Sequence, residues 1–468
     1  LTPGANELCV FAVERGRIGG RFDVRNIRYS LIFSNDNQSR IPLGELTSEE
    51  PCYGTSATAI ERVNELQPKY IRITDFDDFG IEADHIFMTA ENYSAKHELQ
   101  KNDILFARTG ATVGKTYFYD GSIGKAIFAG YCIRFRFDKT KVIPKFVYWY
   151  TKTKYFLDWV NGIQRPSGQP NINKEEYKSF EIILPSKTVQ KDLVSIMDTA
   201  IESYCEKTCR ANNLLSNRSK VLFEILQLKF AKTCTPAAFA VTSAQLFGRI
   251  DADFYSPDFL HFREQIEKSR YKAVNIGDLC ENITSGFAAG KQDQADDLND
   301  DERVPQLRPF SITPYGQISF ATKKYVPISR LQAKDYCKKD EVLFNNTNSA
   351  EWVGKSTVFD IDTPCAASNH ITRITLKEGI NPYYIAAFFN MLRSIGYWKL
   401  LSTYFNNQAG VNTETLKAVR ILLPEKSIQD EIAEEILRRK NTAEALRIEA
   451  EHDWIAAKAE FERKLLGE

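Results

Sequence analysis

The sequence predicts an α+β fold in duplicate: two β-rich domains separated and joined by two long helices packed as a coiled coil, with pseudo-two-fold symmetry. Three observations predict it. An internal repeat runs through the chain at an offset drifting from 228 to 240 residues. Short β-branched and aromatic runs alternate with Gly, Pro, Asn and Asp turns. Two stretches free of both Gly and Pro carry apolar residues at three-and-four spacing.

The repeat comes first, because a duplicated unit sets the whole architecture. Gly20-Arg21-Phe22-Asp23 recurs as Gly248-Arg249-Ile250-Asp251, and Lys101-Asn102-Asp103-Ile104-Leu105-Phe106 as Lys339-Asp340-Glu341-Val342-Leu343-Phe344. Gly114-Lys115-Thr116 pairs with Gly354-Lys355-Ser356, and Ile143-Pro144-Lys145-Phe146 with Asn381-Pro382-Tyr383-Tyr384. The longest match sets Ile183-Leu184-Pro185-Ser186-Lys187-Thr188-Val189-Gln190 against Leu422-Leu423-Pro424-Glu425-Lys426-Ser427-Ile428-Gln429. Order is kept throughout, so the chain is two copies of one unit.

Within each copy the first part is strand-like, as in Lys115 to Asp120 and Tyr131 to Phe137. A helix follows, Pro144 to Val160 and Pro382 to Leu401, with Pro suited to its first turn. The second part is a long helix. Val189, Leu193, Ile196 and Ala200 continue through Leu214, Val221, Ile225 and Leu228; the second copy runs from Ile428 through Ile432, Ile436, Ala443 and Leu446 to Phe461 and Leu465. At 1.5 Å per residue, forty helical residues span roughly 60 Å. A narrow apolar seam that long needs a partner, and the other helix supplies one. The implied boundaries are 1–185 for the first β-rich domain, 186–235 for its helix, 236–424 for the second domain and 425–468 for the last helix.

A chain of 468 residues with 43% hydrophobic and 26% charged residues is ordinary globular material. No apolar run reaches membrane-spanning length. The sequence begins at Leu1, consistent with a trimmed start, and shows no basic-plus-apolar leader. Nine cysteines are scattered at 9, 52, 132, 205, 209, 234, 280, 337 and 365, which fits a reduced cytoplasm better than a disulfide framework. Cys205 and Cys209 lack the further ligands that a zinc site needs.

Sixty-one basic residues balance sixty-one acidic ones, for a net charge of zero. That total excludes a uniformly basic nucleic-acid binder. Its distribution is patterned, however. Residues 51–100 hold 4 basic and 9 acidic residues, whereas 101–154 hold 11 and 3. In the second copy 251–302 has 5 against 13, then 303–355 has 9 against 4. The first basic block interleaves Phe106, Arg108, Lys115, Tyr117, Tyr119, Lys125, Tyr131, Arg134 and Arg136, a mixture suited to neutralising phosphates and reading base edges. A plain solvated face explains the same charges equally well.

Polar loops follow the basic blocks. Gln164-Arg165-Pro166-Ser167-Gly168-Gln169-Pro170-Asn171 aligns with Asn406-Asn407-Gln408-Ala409-Gly410-Val411-Asn412, and Asn345-Asn346-Thr347-Asn348-Ser349 takes the place of Arg108-Thr109-Gly110-Ala111. Asn and Gln can pair with adenine, and Arg with guanine. Turn chemistry accounts for Asn and Gly as well.

Catalytic motifs fail on spacing or context. Gly110 to Thr116 is one residue short of a phosphate loop, with Thr109 and Ser349 where its first Gly should stand. Asn381-Pro382-Tyr383-Tyr384 approximates the Asn-Pro-Pro-Tyr motif of adenine methyltransferases, yet its repeat partner begins with Ile143 and no methyl-donor loop precedes it. No acidic-x-Lys follows Pro257-Asp258 within thirty residues to make a nuclease centre. Histidines 85, 97, 261, 370 and 452 form no triad or metal set. No catalytic or metal-binding residue is assigned.

Asp103 to Arg108 with Gly114-Lys115, Tyr53-Gly54-Thr55-Ser56, and the two Leu-Pro helix starts with Gln five residues on resemble the specificity subunits of type I restriction–modification systems. The resemblance runs from about Gly20 to Leu466. It departs from the family where Asn346-Thr347-Asn348 stands for Arg-Thr-Gly and where Thr284-Ser285-Gly286-Phe287 degrades Ser-Gly-Gly-Thr-Pro. The resemblance implies a non-catalytic subunit of a phage-defence complex. Each β-rich unit would be a target recognition domain reading one half of a split, asymmetric DNA sequence. The long helices would set the spacing and dock two methyltransferase subunits, which carry S-adenosylmethionine and flip the target adenine; a restriction/translocase subunit would join a complete system. The candidate DNA-binding residues are Arg108, Thr109, Lys115, Lys125, Arg165, Gln169 and Asn171 in the first copy, and Asn346, Asn348, Lys355, Asn407, Gln408 and Asn412 in the second. Three alternatives stay open: the specificity partner of a related DNA-modification or phage-defence system, a stand-alone DNA-modifying enzyme, and a protein scaffold that ignores DNA.

Overall fold

The computed structural model describes residues 39–81, 85–163, 170–230, 238–242, 252–290, 293–294, 302–405 and 408–467. The chain divides into two compact units: unit 1 is residues 1–206 with 449–468, and unit 2 is residues 207–448.

In unit 1 the strands are β1 (Arg40–Pro42), β2 (Cys52–Tyr53), β3 (Ala59–Glu61), β4 (Lys69–Ile71), β5 (Met88–Ala90), β6 (Asp103–Ala107), β7 (Thr116–Tyr119), β8 (Ala126–Phe128), β9 (Cys132–Phe135) and β10 (Glu181–Ile183). Helices α1 (Pro144–Tyr150), α2 (Lys154–Ile163) and α3 (Lys174–Lys178) precede the long α4 (Lys187–Ser216).

Unit 2 takes the end of α4, from Lys207, and continues with α5 (Arg218–Ile225) and α6 (Pro257–Glu267). Its strands are β11 (Lys272–Asn275), β12 (Cys280–Ser285), β13 (Arg303–Leu307), β14 (Tyr325–Pro327), β15 (Val342–Asn345), β16 (Thr347–Asn348), β17 (Ser356–Val358), β18 (Ala366–Ala367), β19 (Ile371–Leu376), β20 (Thr403–Phe405), β21 (Gln408–Gly410) and β22 (Arg420–Leu423). Helices α7 (Pro382–Ser394), α8 (Tyr397–Leu401) and α9 (Thr413–Lys417) come before the forty-residue α10 (Lys426–Leu465).

The two units repeat one topology. An antiparallel sheet β2-β9-β6-β7 in unit 1 matches β12-β19-β15-β17 in unit 2. The antiparallel pair β1-β10 matches β11-β22, and the parallel pair β4-β8 matches β13-β18. Strand β6 is buried over its whole length, which is why it reads as an almost unbroken apolar run. Side chains alternate across it: Ile104 and Phe106 join one core with the helices, while Leu105 and Ala107 join another with Tyr117 and Tyr119. Val342 and Phe344 repeat this against Leu343. The turn into the strand uses Asn102 and Asp340, both in the left-handed region at φ 79° and 66°, which these short polar residues tolerate.

The polar group at the strand start is held inside. Asp103 receives Nε and Nη2 of Arg136 at 2.7 and 2.8 Å. The matching Glu341 is one methylene longer and takes Nε and Nη2 of Arg373 instead, at 2.9 and 2.8 Å. Arg134, the counterpart of Arg373, bonds Glu49 and the carbonyl of Lys96. Thus of the first basic block Phe106, Tyr117, Tyr119 and Arg134 are buried, and Arg134 and Arg136 neutralise acids of their own unit. Much of that block is core; the solvated-face explanation fails for these side chains too.

The single helix expected after the sheet is broken in both copies. Thr151 and Thr153 turn their hydroxyls onto the carbonyls of Tyr148 and Tyr150, and Gly396 caps in the left-handed region at φ 81°. The first long helix ends earlier than its 186–235 stretch, at Ile225 after an interruption at Asn217, and Gln227 turns to φ 55°. In unit 1, Leu193 and Met197 of α4 share a core with Trp454, Phe461 and Leu465 of α10. In unit 2, Ala211 and Leu215 of α4 pack with Ala443 of α10, Arg439 donates to the Asn217 carbonyl at 3.1 Å and Arg447 to Asn212 at 2.8 Å. Rising numbers on one helix meet falling numbers on the other, so the pairing is antiparallel. Among the described residues no helix is long and apolar enough to cross a membrane.

Candidate nucleic-acid interface

Each unit carries its candidate residues where the central strand leaves the sheet. In unit 1, β6 runs into Arg108 and Thr109. The Arg108 N–H donates to the Tyr131 carbonyl at 2.9 Å and its carbonyl accepts from Ile172 at 2.9 Å. Thr109 bridges Asn171 in antiparallel fashion. Arg108 lays its guanidinium over the Tyr53 ring, 4.7 Å from the centroid, and its buried Nε has no hydrogen-bond partner. Stacking of this kind fixes the cation without consuming its donors. Tyr131 stands beside it with 61% of its surface exposed, and Asn171 is exposed as well.

The backbone under this cluster is close-packed. Gly54 follows Tyr53, and a Cβ there would lie 2.3 Å from the Phe128 carbonyl oxygen; Gly286 repeats the constraint at 2.3 Å from that of Ala367. Only Gly lets the two chains approach so closely. Lys115, half-buried, follows Gly114, whose φ of 87° and contact with Val160 explain the conserved spacing between the copies. Lys125 is exposed, pairs with Glu98 at 3.0 Å and lies over the Tyr93 ring.

Unit 2 keeps the backbone and changes the side chains. Asn346 occupies the place of Arg108: its N–H donates to His370 at 3.0 Å and its carbonyl accepts from Val411 at 2.9 Å. Its side chain is buried, with Nδ2 bonded to the Asn369 carbonyl and Thr372 Oγ1 and Oδ1 accepting from Thr347. Asn348 is half-buried on β16 and its Oδ1 accepts from the Ser349 N–H. Lys355 is buried; Nζ donates to the carbonyls of Pro309 and Ile312 at 2.8 and 2.6 Å, and burial pushes it down to about 8, with Arg393 adding to the effect. Gln408 is exposed at the start of β21, and Asn412 caps α9 through Thr415. Arg165, Gln169 and Asn407 lie outside the described residues.

The structure therefore brings together Arg108, Thr109 and Asn171 at one strand end, and Asn348 with Gln408 on the three-stranded sheet β16-β21-β20. Four exposed aromatic side chains stand at these places: Tyr131 belongs to the basic block and Tyr53 to the family-like motif, whereas Tyr404 and Phe405 were passed over in the sequence. Tyr53 and Tyr131 flank Arg108; Tyr404 and Phe405, 59% and 77% exposed, project from β20 beside Gln408. Adjacent aromatics ahead of Asn406-Asn407 were the available signal, since two consecutive rings in a strand cannot both face one core. Among the described residues no group of His, Cys, Asp or Glu could hold a metal ion. Among the described residues the cysteines form no disulfide, and Cys205 and Cys209 are exposed.

A family model described as type I restriction modification DNA specificity domain matches residues 55–235 and again residues 268–448. No curated protein matches the chain. Among solved structures, similarity is found to a chain from work on complex assembly and conformational transition of the type I R-M system, at 12% identity and a TM-score of 0.49, covering 92% of this chain and 95% of that one. The S subunit of a type I restriction–modification system from M. genitalium is similar at 11% identity and 0.45, covering 92% and 96%. The HsdS subunit from Thermoanaerobacter tengcongensis is similar at 12% and 0.36, covering 92% and 96%.

Proposed function

The chain belongs to the type I restriction modification DNA specificity family, and from that premise we propose that it reads a split, asymmetric DNA target and holds methyltransferase subunits on its long helices. It is a non-catalytic DNA specificity subunit with two recognition domains, and its family implies DNA binding and assembly with other subunits of such a system.

One observation carries the finer reading. The same backbone position presents a stacked, unpartnered Arg108 in unit 1 and an inward, fully bonded Asn346 in unit 2. Equivalent backbones with different chemistry read different bases, so the two half-sites differ. In unit 1, Arg108 with Thr109 and Asn171 reads base edges, Lys115 neutralises phosphate and Lys125 lies at the rim. In unit 2, Asn348 and Gln408 read bases beside Tyr404 and Phe405, while Asn346, Lys355 and Asn412 shape the backbone that presents them. Arg165, Gln169 and Asn407 complete the loops.

The antiparallel helices act as the spacer between readers. Two methyltransferase subunits bind them and bring S-adenosylmethionine; a restriction/translocase subunit completes a full system. Such a complex works on DNA in the cytoplasm. Sequencing methylated positions in a host that expresses the chain with its methyltransferase tests this. The expected motif is bipartite and asymmetric, with an unread gap; a contiguous or palindromic motif refutes it.

A further inference from the structure

Unit 2 has a half-open cavity of about 310 Å³ between α5, α7 and α10. Arg218, Arg393 and Lys440 line it together with the rings of Tyr315, Trp352 and Tyr383. Among the described lining residues the one carboxylate is Asp360, which sits 3.5 Å from Lys440 and accepts the Tyr383 hydroxyl at 3.2 Å. That leaves two guanidinium groups without an acid. Arg218 Nε donates to the Leu215 carbonyl at 3.0 Å, and Arg393 Nη2 to the Pro314 carbonyl at 2.7 Å, while the buried Arg393 Nε has no partner at all.

Two such groups side by side are costly. Burial, with the like charge of Arg393 added, pushes Arg218 down to about 10, and burial lowers Arg393 too. Charges withdrawn from water are kept where something compensates them.

The repeat supplies an internal control. Trp149 stands where unit 2 has Ala387, Trp454 where it has Leu215, Ala457 where it has Arg218 and Tyr155 where it has Arg393. In unit 1 the two indoles meet at 5.9 Å, and Phe79 packs on Trp454 at 5.7 Å and stacks on Tyr204 at 4.2 Å. One copy fills the space with aromatic rings. The other leaves it open and sets cations in it.

We propose that this cavity binds a small phosphate monoester bearing a planar ring, of nucleoside monophosphate size. The forked donors of two arginines match phosphate oxygens, and Tyr315, Trp352 and Tyr383 offer faces for a ring. Small-molecule sites run from roughly 300 to 1,000 Å³, so the ligand is compact; a duplex does not enter.

The test is calorimetric titration of the full chain with adenosine 5′-monophosphate, inorganic phosphate and adenosine. The monophosphate should bind one per chain, more tightly than phosphate and than adenosine. Ala387→Trp should abolish binding by restoring the plug of unit 1. Arg218→Gln with Arg393→Gln should weaken it by about tenfold or more without lowering the unfolding temperature of the free chain, which keeps the test valid if Ala387→Trp folds poorly. Target-DNA binding should be unchanged in all variants, separating this site from the reading surfaces. No binding of either phosphate compound, unaltered binding in the double variant, or a drop in its unfolding temperature would overturn the proposal.

Discussion

Gln190 accepts a hydrogen bond from the backbone N–H of Ile143 at 2.9 Å, tying the first turn of a long helix to the start of α1. Its amide also donates to the Pro185 carbonyl at 2.8 Å. Gln429 repeats both bonds, to Asn381 at 3.0 Å and Pro424 at 2.9 Å. One buried amide at each helix start thus fixes the direction in which the helix leaves its domain.

Replacing either glutamine by Ala leaves a backbone donor and acceptor unpaired. Each change should lower unfolding free energy by about 1–3 kcal/mol, measured by denaturant titration. Unchanged midpoints would show that the clamp contributes nothing.

Arg108→Ala should weaken target binding by about 1–3 kcal/mol and relax preference in one half-site only. Lys115→Ala should weaken binding to every duplex and reduce the salt slope by about one. Loss of preference in both half-sites, or an unchanged salt slope, argues against these roles. Lys355→Ala, by contrast, should act on stability, because its ammonium is bonded to two carbonyls of its own unit.

Lys152 is buried and held down at about 8, burial outweighing the attraction of Asp78 and Asp77. A lysine depressed in the folded state binds its proton less well there than when unfolded. Between about pH 8 and the ordinary value near 10.5 the unfolded chain therefore carries more protons, and stability rises with pH. Across that window Lys152 contributes up to about 3 kcal/mol of this rise. Lys152→Met should flatten it and be the more stable protein below pH 8; an identical pH profile in wild type and variant would contradict the assignment.

Deleting a matching heptad from α4 and α10 keeps their antiparallel register and removes about 10 Å of helix. The unread gap should shorten by up to about three base pairs while both half-sites stay the same. Altered half-sites with an intact gap, mapped by methylation sequencing, would count against the spacer role.

The duplication, the long helices and the β-rich first part of each unit were legible because each rests on patterns that local chemistry imposes: repeat spacing, helical periodicity and short runs between turn residues. The site was legible only in outline. Arg134 and Arg136 look like reading cations in the sequence, but Asp103 and Glu49 claim them once the strands are in register. Asn346 looks like an adenine reader until burial turns its amide toward Thr372. Exposure and pairing depend on residues far away in the chain, such as Glu49 beneath Arg134, and no short motif records them. The break at Thr151 to Thr153 was hidden likewise, since hydroxyls bonding back to carbonyls leave no periodicity signal.

The core of unit 1 contains Trp454, Phe461 and Leu465 of α10. A ribosome makes that core's first strand more than four hundred residues before it makes those side chains. The first domain to emerge is thus the last to be completed, and it must wait half-assembled while the second is synthesised. A stop in α10 beyond Ile448 spares every residue of the second unit, which ends there, yet takes Trp454, Phe461 and Leu465 from the first. Completion of the first unit's core therefore reports that the second unit has already been made.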